Sequence, residues 1–170
     1  MKQETQLLID DFKHHFKYQP DGTLIRQNNR RNDLNGQVAG TLTKKGYVQI
    51  FFKGKFYYAH QIIWAIHHNE FVKQIDHIDR VKHHNWIENL RKATAQTNAY
   101  NKQGSARGGS KFKGVYWVPH AKKFVARITV NKQVKHLGYF DDEYKAAEAY
   151  NKAAAIHHKQ FACTEPSNEQ

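Results

Sequence analysis

Four residues in the middle of the chain have types suited to hydrolytic chemistry: adjacent Asp76 and His77, then Asn89, then Asn98. Ile75 and Ile78 flank the polar pair at positions a short strand would bury, so this run reads as a strand carrying a carboxylate beside an imidazole. Asn89-Leu90 is followed by Lys92–Asn98, read as a helix with Thr94 near its start and Asn98 facing that strand. Asp and Asn oxygens are hard ligands suited to Mg²⁺, which keeps most of its waters and needs only one or two protein ligands plus a phosphate. A histidine of ordinary pKa, about 6.5, can take a proton from water at neutral pH. Plainer roles compete. Asn89 would serve nearly as well as a turn or cap residue, and Asp79 is expected to stabilise a turn or pair with a cation. The pairs His14-His15, His67-His68, His83-His84 and His157-His158 invite metal, but adjacent residues point apart on helix and strand, so surface or helix-end roles are expected. For His60, packing at a helix start and contact with phosphate both stay open.

Elements must position these groups. Thr5–Phe16 reads as a helix, apolar at Leu8, Ile9, Phe12 and Phe16, and Pro20-Asp21-Gly22 as a turn. Residues 26–45, rich in Arg, Asn, Gly and Lys, read as an exposed loop. Tyr47–Phe52 and Phe56–Ala59 around Lys53-Gly54-Lys55 read as a hairpin, followed by a helix over His60–His68. Residues 101–110 carry Gly and Ser without an apolar anchor and read as a linker. Gly114–Val118, Phe124–Val130 and Lys132–Leu137 read as three strands, and 142–158 as an Ala-rich helix with acids first and histidines last. The division predicted is 1–100, a linker over 101–110, a second domain over 111–166 and a tail over 167–170.

Composition bounds the partners. The 170 residues hold 27 Lys+Arg against 15 Asp+Glu, a net charge of +12. Between Glu88 and Asp141 there is no acidic residue, while Arg91, Lys113, Lys122, Lys123, Arg127 and Lys132 all fall there. That pattern suits a surface that tracks phosphates. One cysteine excludes a disulfide scaffold and any Cys-paired zinc site, and suits a reducing compartment. Met1–Thr5 is polar and does not read as a signal peptide, and no apolar run approaches the ~18–20 residues of a membrane span.

The pattern Asp76-His77-Ile78-Asp79, Asn85, Glu88-Asn89-Leu90-Arg91, Thr97-Asn98, preceded by His60–Trp64, resembles the HNH (ββα-metal) endonucleases of the phage homing type over about 45–100. The resemblance implies His77 as general base, Asp76 and Asn98 as ligands of Mg²⁺ (or Mn²⁺), and Asn89 as the residue orienting the base loop. Arg80-Val81 stands where the family usually has Gly-Asn, which alters that loop. The segments Lys111–Trp117, Lys123–Ile128, His136–Phe140 and Ala146–Ala154 resemble an AP2 DNA-binding domain over about 111–166. By alternation, Phe124, Ala126 and Ile128 face the helix while Val125, Arg127 and Thr129 point the other way. Val115 and Trp117 pair inward, leaving Tyr116 and Val118 outward, and on the third strand Val134 and His136 share one face and Lys135 the other. The AP2 resemblance implies an outer face that meets double-stranded DNA through Tyr116, Arg127, Thr129 and His136. Arg127 is the best base reader, with Lys113, Lys122, Lys123, Lys132 and Arg91 nearer phosphate. The fold class expected is α+β: a ββα-metal nuclease domain, then a three-stranded antiparallel sheet packed on one helix. The function expected is a metal-dependent DNA endonuclease targeted by the second domain. The alternative is a non-catalytic DNA-binding regulator with a relic nuclease unit. A monomer is slightly favoured over a dimer that could cut both strands; a phage origin would place it in the bacterial cytoplasm.

Overall fold

A computed structural model of the chain describes residues 2–102 and 109–164. Most of the expected linker, 103–108, lies outside these residues, as does the tail from 165. The protein is mixed α+β with small antiparallel sheets. Two compact units are present, Met1–Ala95 and Gln96–Gln170.

In the first unit, α1 (Lys2–His15) buries Ile9 and Phe12 on one face. It starts earlier than Thr5 and stops at His15, because Phe16 opens β1 (Phe16–Tyr18), which pairs with β2 (Leu24–Arg26). Asp21 closes the turn by accepting from the Thr23 amide and hydroxyl, and Gly22 supplies its φ of +83°. The stretch expected as loop over 26–45 is partly ordered. It holds a 3₁₀ turn at Asn32–Leu34, a bridge from Ile25 to Val38, and β3 (Thr41–Leu42). β3 joins β4 (Val48–Phe52) and β5 (Lys55–Tyr58) in one sheet, and Lys53-Gly54 makes the two-residue turn with positive φ at both positions. The helix α2 (Ala59–His68) follows at once, its first turn closed by the Tyr58 amide donating to Gln61 Oε1. Ile62, Ile63 and Ala65 of α2 pack with Phe12, Phe16, Ile50 and Leu90 in one core.

β6 (Ile75–His77) pairs antiparallel with β7 (Leu90–Lys92), placing Asp76 opposite Arg91 and His77 opposite Leu90. The helix expected from Lys92 therefore begins later. Lys92 is held in the ladder by Ile75, and α3 runs Ala95–Asn101.

The second unit takes in α3 from Gln96 onward. Its sheet has the order β10-β9-β8, with β8 (Val115–Val118), β9 (Lys123–Val130) and β10 (Gln133–Phe140). A bulge at Leu137 lets β10 continue to Phe140, three residues past the expected end. α4 (Glu143–His158) is capped by Asp142, whose side chain accepts from the Lys145 amide. Its Ala146, Ala147, Ala153 and Ala154 lie against Ala126 and Ile128 of the sheet's inner face.

Candidate active site and nucleic-acid interface

His77 sits on β6, 4% exposed. Its Nε2 lies 3.0 Å from Oδ1 of Asn85, which is itself buried. An amide oxygen only accepts, so Nε2 carries the proton and the lone pair of the neutral ring is on Nδ1. Burial pushes the His77 pKa down, opposed by the Asn85 hydrogen bond and the charges of Asp79 and Asp76. The ring is therefore neutral at pH 7, the form that accepts a proton. A second imidazole, His60, meets it edge to face at 5.1 Å and stacks on Tyr58 at 5.4 Å. His60 is buried at the start of α2, packed among aromatic rings. Burial, with His77 nearby, pushes its pKa to about 3, and its Nδ1 has no hydrogen-bond partner.

The loop from Ile78 to Asn85 is tied down by Asn89. The Asn89 side chain accepts from the Asp79 amide (3.0 Å) and donates to Asp79 Oδ1 (2.9 Å) and to the His84 carbonyl (2.7 Å). Asp79 also accepts from the Val81 amide and, at 2.6 Å, from His84 Nδ1. Burial raises the Asp79 pKa, but the hydrogen bonds from Asn89, His84 and Val81 outweigh it and hold the carboxyl below its usual value. Asp79 is thus a turn residue, as expected. Asn89 ties the loop together, whereas the direct contact to the His77 ring comes from Asn85.

The β1–β2 hairpin supports Asn85 from outside. A Cβ added at Gly22 would lie 2.4 Å from the Trp86 amide nitrogen and 2.6 Å from the Asn85 carbonyl carbon. Tyr18 adds a second strut, its hydroxyl oxygen accepting from the Ile87 amide at 3.1 Å. The chain from Asn85 to Ile87 is therefore pressed against an element some 65 residues earlier.

Asp76 is 5% exposed, and its Oδ2 accepts from Arg91 Nε at 2.8 Å and Nη2 at 2.6 Å. Arg91, expected near phosphate, has its guanidinium on this carboxylate, its side chain 13% exposed. The strand register that sets the two opposite one another is the cause. Asn98 is half-buried on α3, within the second unit. Among the described residues there is no group of three His, Cys, Asp or Glu side chains that could hold a metal. Asp76 and Asn98 each carry the hard oxygen donor type that suits Mg²⁺ or Mn²⁺, a cation that needs only one or two protein ligands.

In the second unit, Tyr116, Arg127, Thr129 and His136 are exposed on the face of the sheet away from α4. Register pairs Arg127 with His136, Thr129 with Val134, and Val125 with both Tyr116 and Tyr139. Val125 points outward yet is 1% exposed. Lys122 and Lys132 occupy the two turns of the meander, both exposed and both with positive φ. Lys123 pairs with Asp141 at 3.2 Å. Lys113 departs from expectation. Its Nζ donates to the carbonyls of Ala99 (3.2 Å), Tyr100 (2.6 Å) and Lys102 (2.5 Å), capping the C-terminal end of α3. Tyr100 in turn stacks on His158 of α4, ring centroids 3.6 Å apart.

Comparison of the chain with protein-family profiles, with curated proteins and with solved structures returns no significant match.

Sequence reasoning missed three contacts: Asn85 on His77, Arg91 on Asp76, and Lys113 on α3. The β6–β7 register predicts the second once both strands are recognised. The other two depend on where a loop and a helix end come to rest.

Proposed function

We propose that the protein is a divalent-metal-dependent DNA endonuclease, with an HNH-type nuclease in its first part and an AP2-like DNA-binding module in its second. The observation that carries this reading is His77: a neutral imidazole, its proton fixed on Nε2 by Asn85, one residue from the buried carboxylate of Asp76. In this role Nδ1 takes the proton from the attacking water, while Asn85 and the Asn89-tied loop hold the ring in place. The family resemblance assigns Asp76 and Asn98 as the residues that would hold Mg²⁺ or Mn²⁺, which would supply positive charge at the scissile phosphate and the leaving oxygen. Arg91 holds the Asp76 carboxylate in one orientation through its two hydrogen bonds. The outer face of β8–β10, with Arg127, His136, Tyr116 and Thr129, lies against the duplex, as β-sheet readers do in the major groove. Lys122, Lys123 and Lys132 contribute phosphate contacts.

The test is cleavage of supercoiled plasmid with Mg²⁺, with Mn²⁺ and with EDTA, by the wild type and by His77→Ala. A general base is worth about 10²–10⁴ in rate, so the variant should lose at least a hundredfold while EDTA abolishes cutting. Equal rates for the two proteins would overturn the assignment. If neither protein cuts and binding is intact, the non-catalytic regulator is the reading that stands. DNA binding should weaken with salt at about −0.9 in log K per neutralised phosphate, and a flat response would remove the phosphate-tracking surface.

A further inference from the structure

The second unit contains a cavity of about 360 Å³ at the side of the sheet's outer face. Its walls include Gln96 and Tyr100 of α3, Tyr116, Arg127 and Thr129 of the sheet, and His158 of α4. We propose that this cavity takes a single nucleobase turned out of the bound DNA strand. The inference rests on the DNA-binding reading above and extends it from a face that reads a duplex to a site for one unstacked base.

Four features of the cavity point to that occupant. Its volume falls in the ~300–1,000 Å³ range of small-ligand sites, so it is far too small for a helix or a duplex. Tyrosine rings at 100 and 116 line it, and an aromatic face is what a base stacks on once it leaves its neighbours. Lys132 and Arg127 also line it, with no acidic residue among the lining groups, so the phosphate that travels with the base meets cations. The last feature is His158, 4% exposed, whose Nε2 lies 3.0 Å from the Thr129 carbonyl oxygen and donates to it. Its Nδ1 is therefore an acceptor, and it is buried without a partner. A buried acceptor with nothing to accept from is uncommon in a folded protein and suits an incoming donor such as a base amine or imino group.

A base paired inside a duplex cannot reach a concave site of this kind; a base rotated out of the stack can. α3 forms one wall, and that wall is fixed by the Lys113 cap and by the stack of Tyr100 on His158. The cavity is consequently held open before any DNA arrives.

The experiment uses the full chain. Duplexes that it binds are first selected from a random pool, and 2-aminopurine is then placed at each position of a selected site. Emission should rise several-fold at one position and stay flat at the others. Ala99→Trp, at an exposed α3 position lining the cavity, fills the space without disturbing a core. It should keep duplex affinity within about threefold and abolish the emission rise. Free nucleoside monophosphates form the second arm: they should compete for the 2-aminopurine signal in the wild type and leave Ala99→Trp unaffected. Duplex binding with flat emission at every position overturns the base-pocket proposal and leaves the DNA-binding reading intact. A nucleotide that binds the cavity while DNA emission stays flat also overturns it, in favour of a free-nucleotide site. Failure to select any duplex overturns the DNA-binding reading itself.

Discussion

Replacing His60 by Phe should remove about 2 kcal/mol of acid sensitivity from the first unit. His60 is 5% exposed among Tyr47, Tyr58 and His77, and burial holds its pKa near 3 against about 6.5 when unfolded. Between those values the unfolded chain binds a proton that the folded chain refuses, so stability falls as pH drops through that window. For these two pKa values the linkage gives about 2 kcal/mol of stability lost at pH 5 and about 0.2 at pH 7. The difference is close to 2 kcal/mol for His60 alone. His77, also depressed by burial, adds loss in the same direction, and carboxylates such as Asp79 contribute further at lower pH. These terms are common to wild type and His60→Phe, which keeps an aromatic ring against Tyr58 and His77. The comparison is therefore a difference of differences: urea unfolding at pH 7 and pH 5, followed by fluorescence of Trp64 and Trp86. With a slope of about 1–3 kcal/mol/M, the wild-type midpoint should drop by about 1 M more than that of the variant. Parallel losses in the two proteins would refute the claim that His60 is held neutral by burial.

Three further outcomes follow from the same contacts. Asn85→Ala leaves the His77 Nε2 proton without its acceptor in a buried site and should cost about 1–3 kcal/mol in urea unfolding, and plasmid cutting should fall at least tenfold. In His77→Ala the same Asn85 change should cost much less, so a double-mutant cycle with no coupling would sink the contact. Gly22→Ala sets a Cβ against the backbone of Asn85 and Trp86 at a left-handed position; about 1–2 kcal/mol is expected from φ alone, with more from the overlap, and His77 ring NMR shifts should move. Wild-type stability in that variant would mean the hairpin does not press on the loop. Lys113→Ala uncaps α3, so amide exchange at residues 99–102 should quicken about fivefold while β9 amides hold their protection. An unchanged exchange rate there would remove Lys113 from the helix end.

Legibility differed by element for physical reasons. The hairpin turn at Lys53-Gly54, the Ala-rich α4 and the alternation along β9 are local matters of turn chemistry and period; they appear close to where the sequence puts them, with Lys55 joining β5 rather than the turn. The extent of β10 was not legible, because the Leu137 bulge that carries it to Phe140 exists only against β9. Neither was the start of α3, since Lys92 has ordinary helix propensity and is claimed by its ladder partner Ile75. The candidate site shows the same split. The juxtaposition of Asp76 and His77, the turn role of Asp79 and the loop-tying amide of Asn89 all lie within 14 residues of one another in the chain.

By itself the sequence determined which chemical groups this protein owns and in what order: a carboxylate and an imidazole on one short strand, amides downstream, and an acid-free cationic stretch beyond them. Tertiary structure decided what state those groups are in. Burial beside Tyr47 and His60 lowers the His77 pKa, and Asn85, pressed by Gly22 of a hairpin distant in sequence, fixes which of its nitrogens accepts. The Arg91 guanidinium closes on Asp76 because two strands pair in one register and no other. Residue types are local; desolvation and hydrogen-bond partners depend on chain segments distant in sequence, and these set protonation.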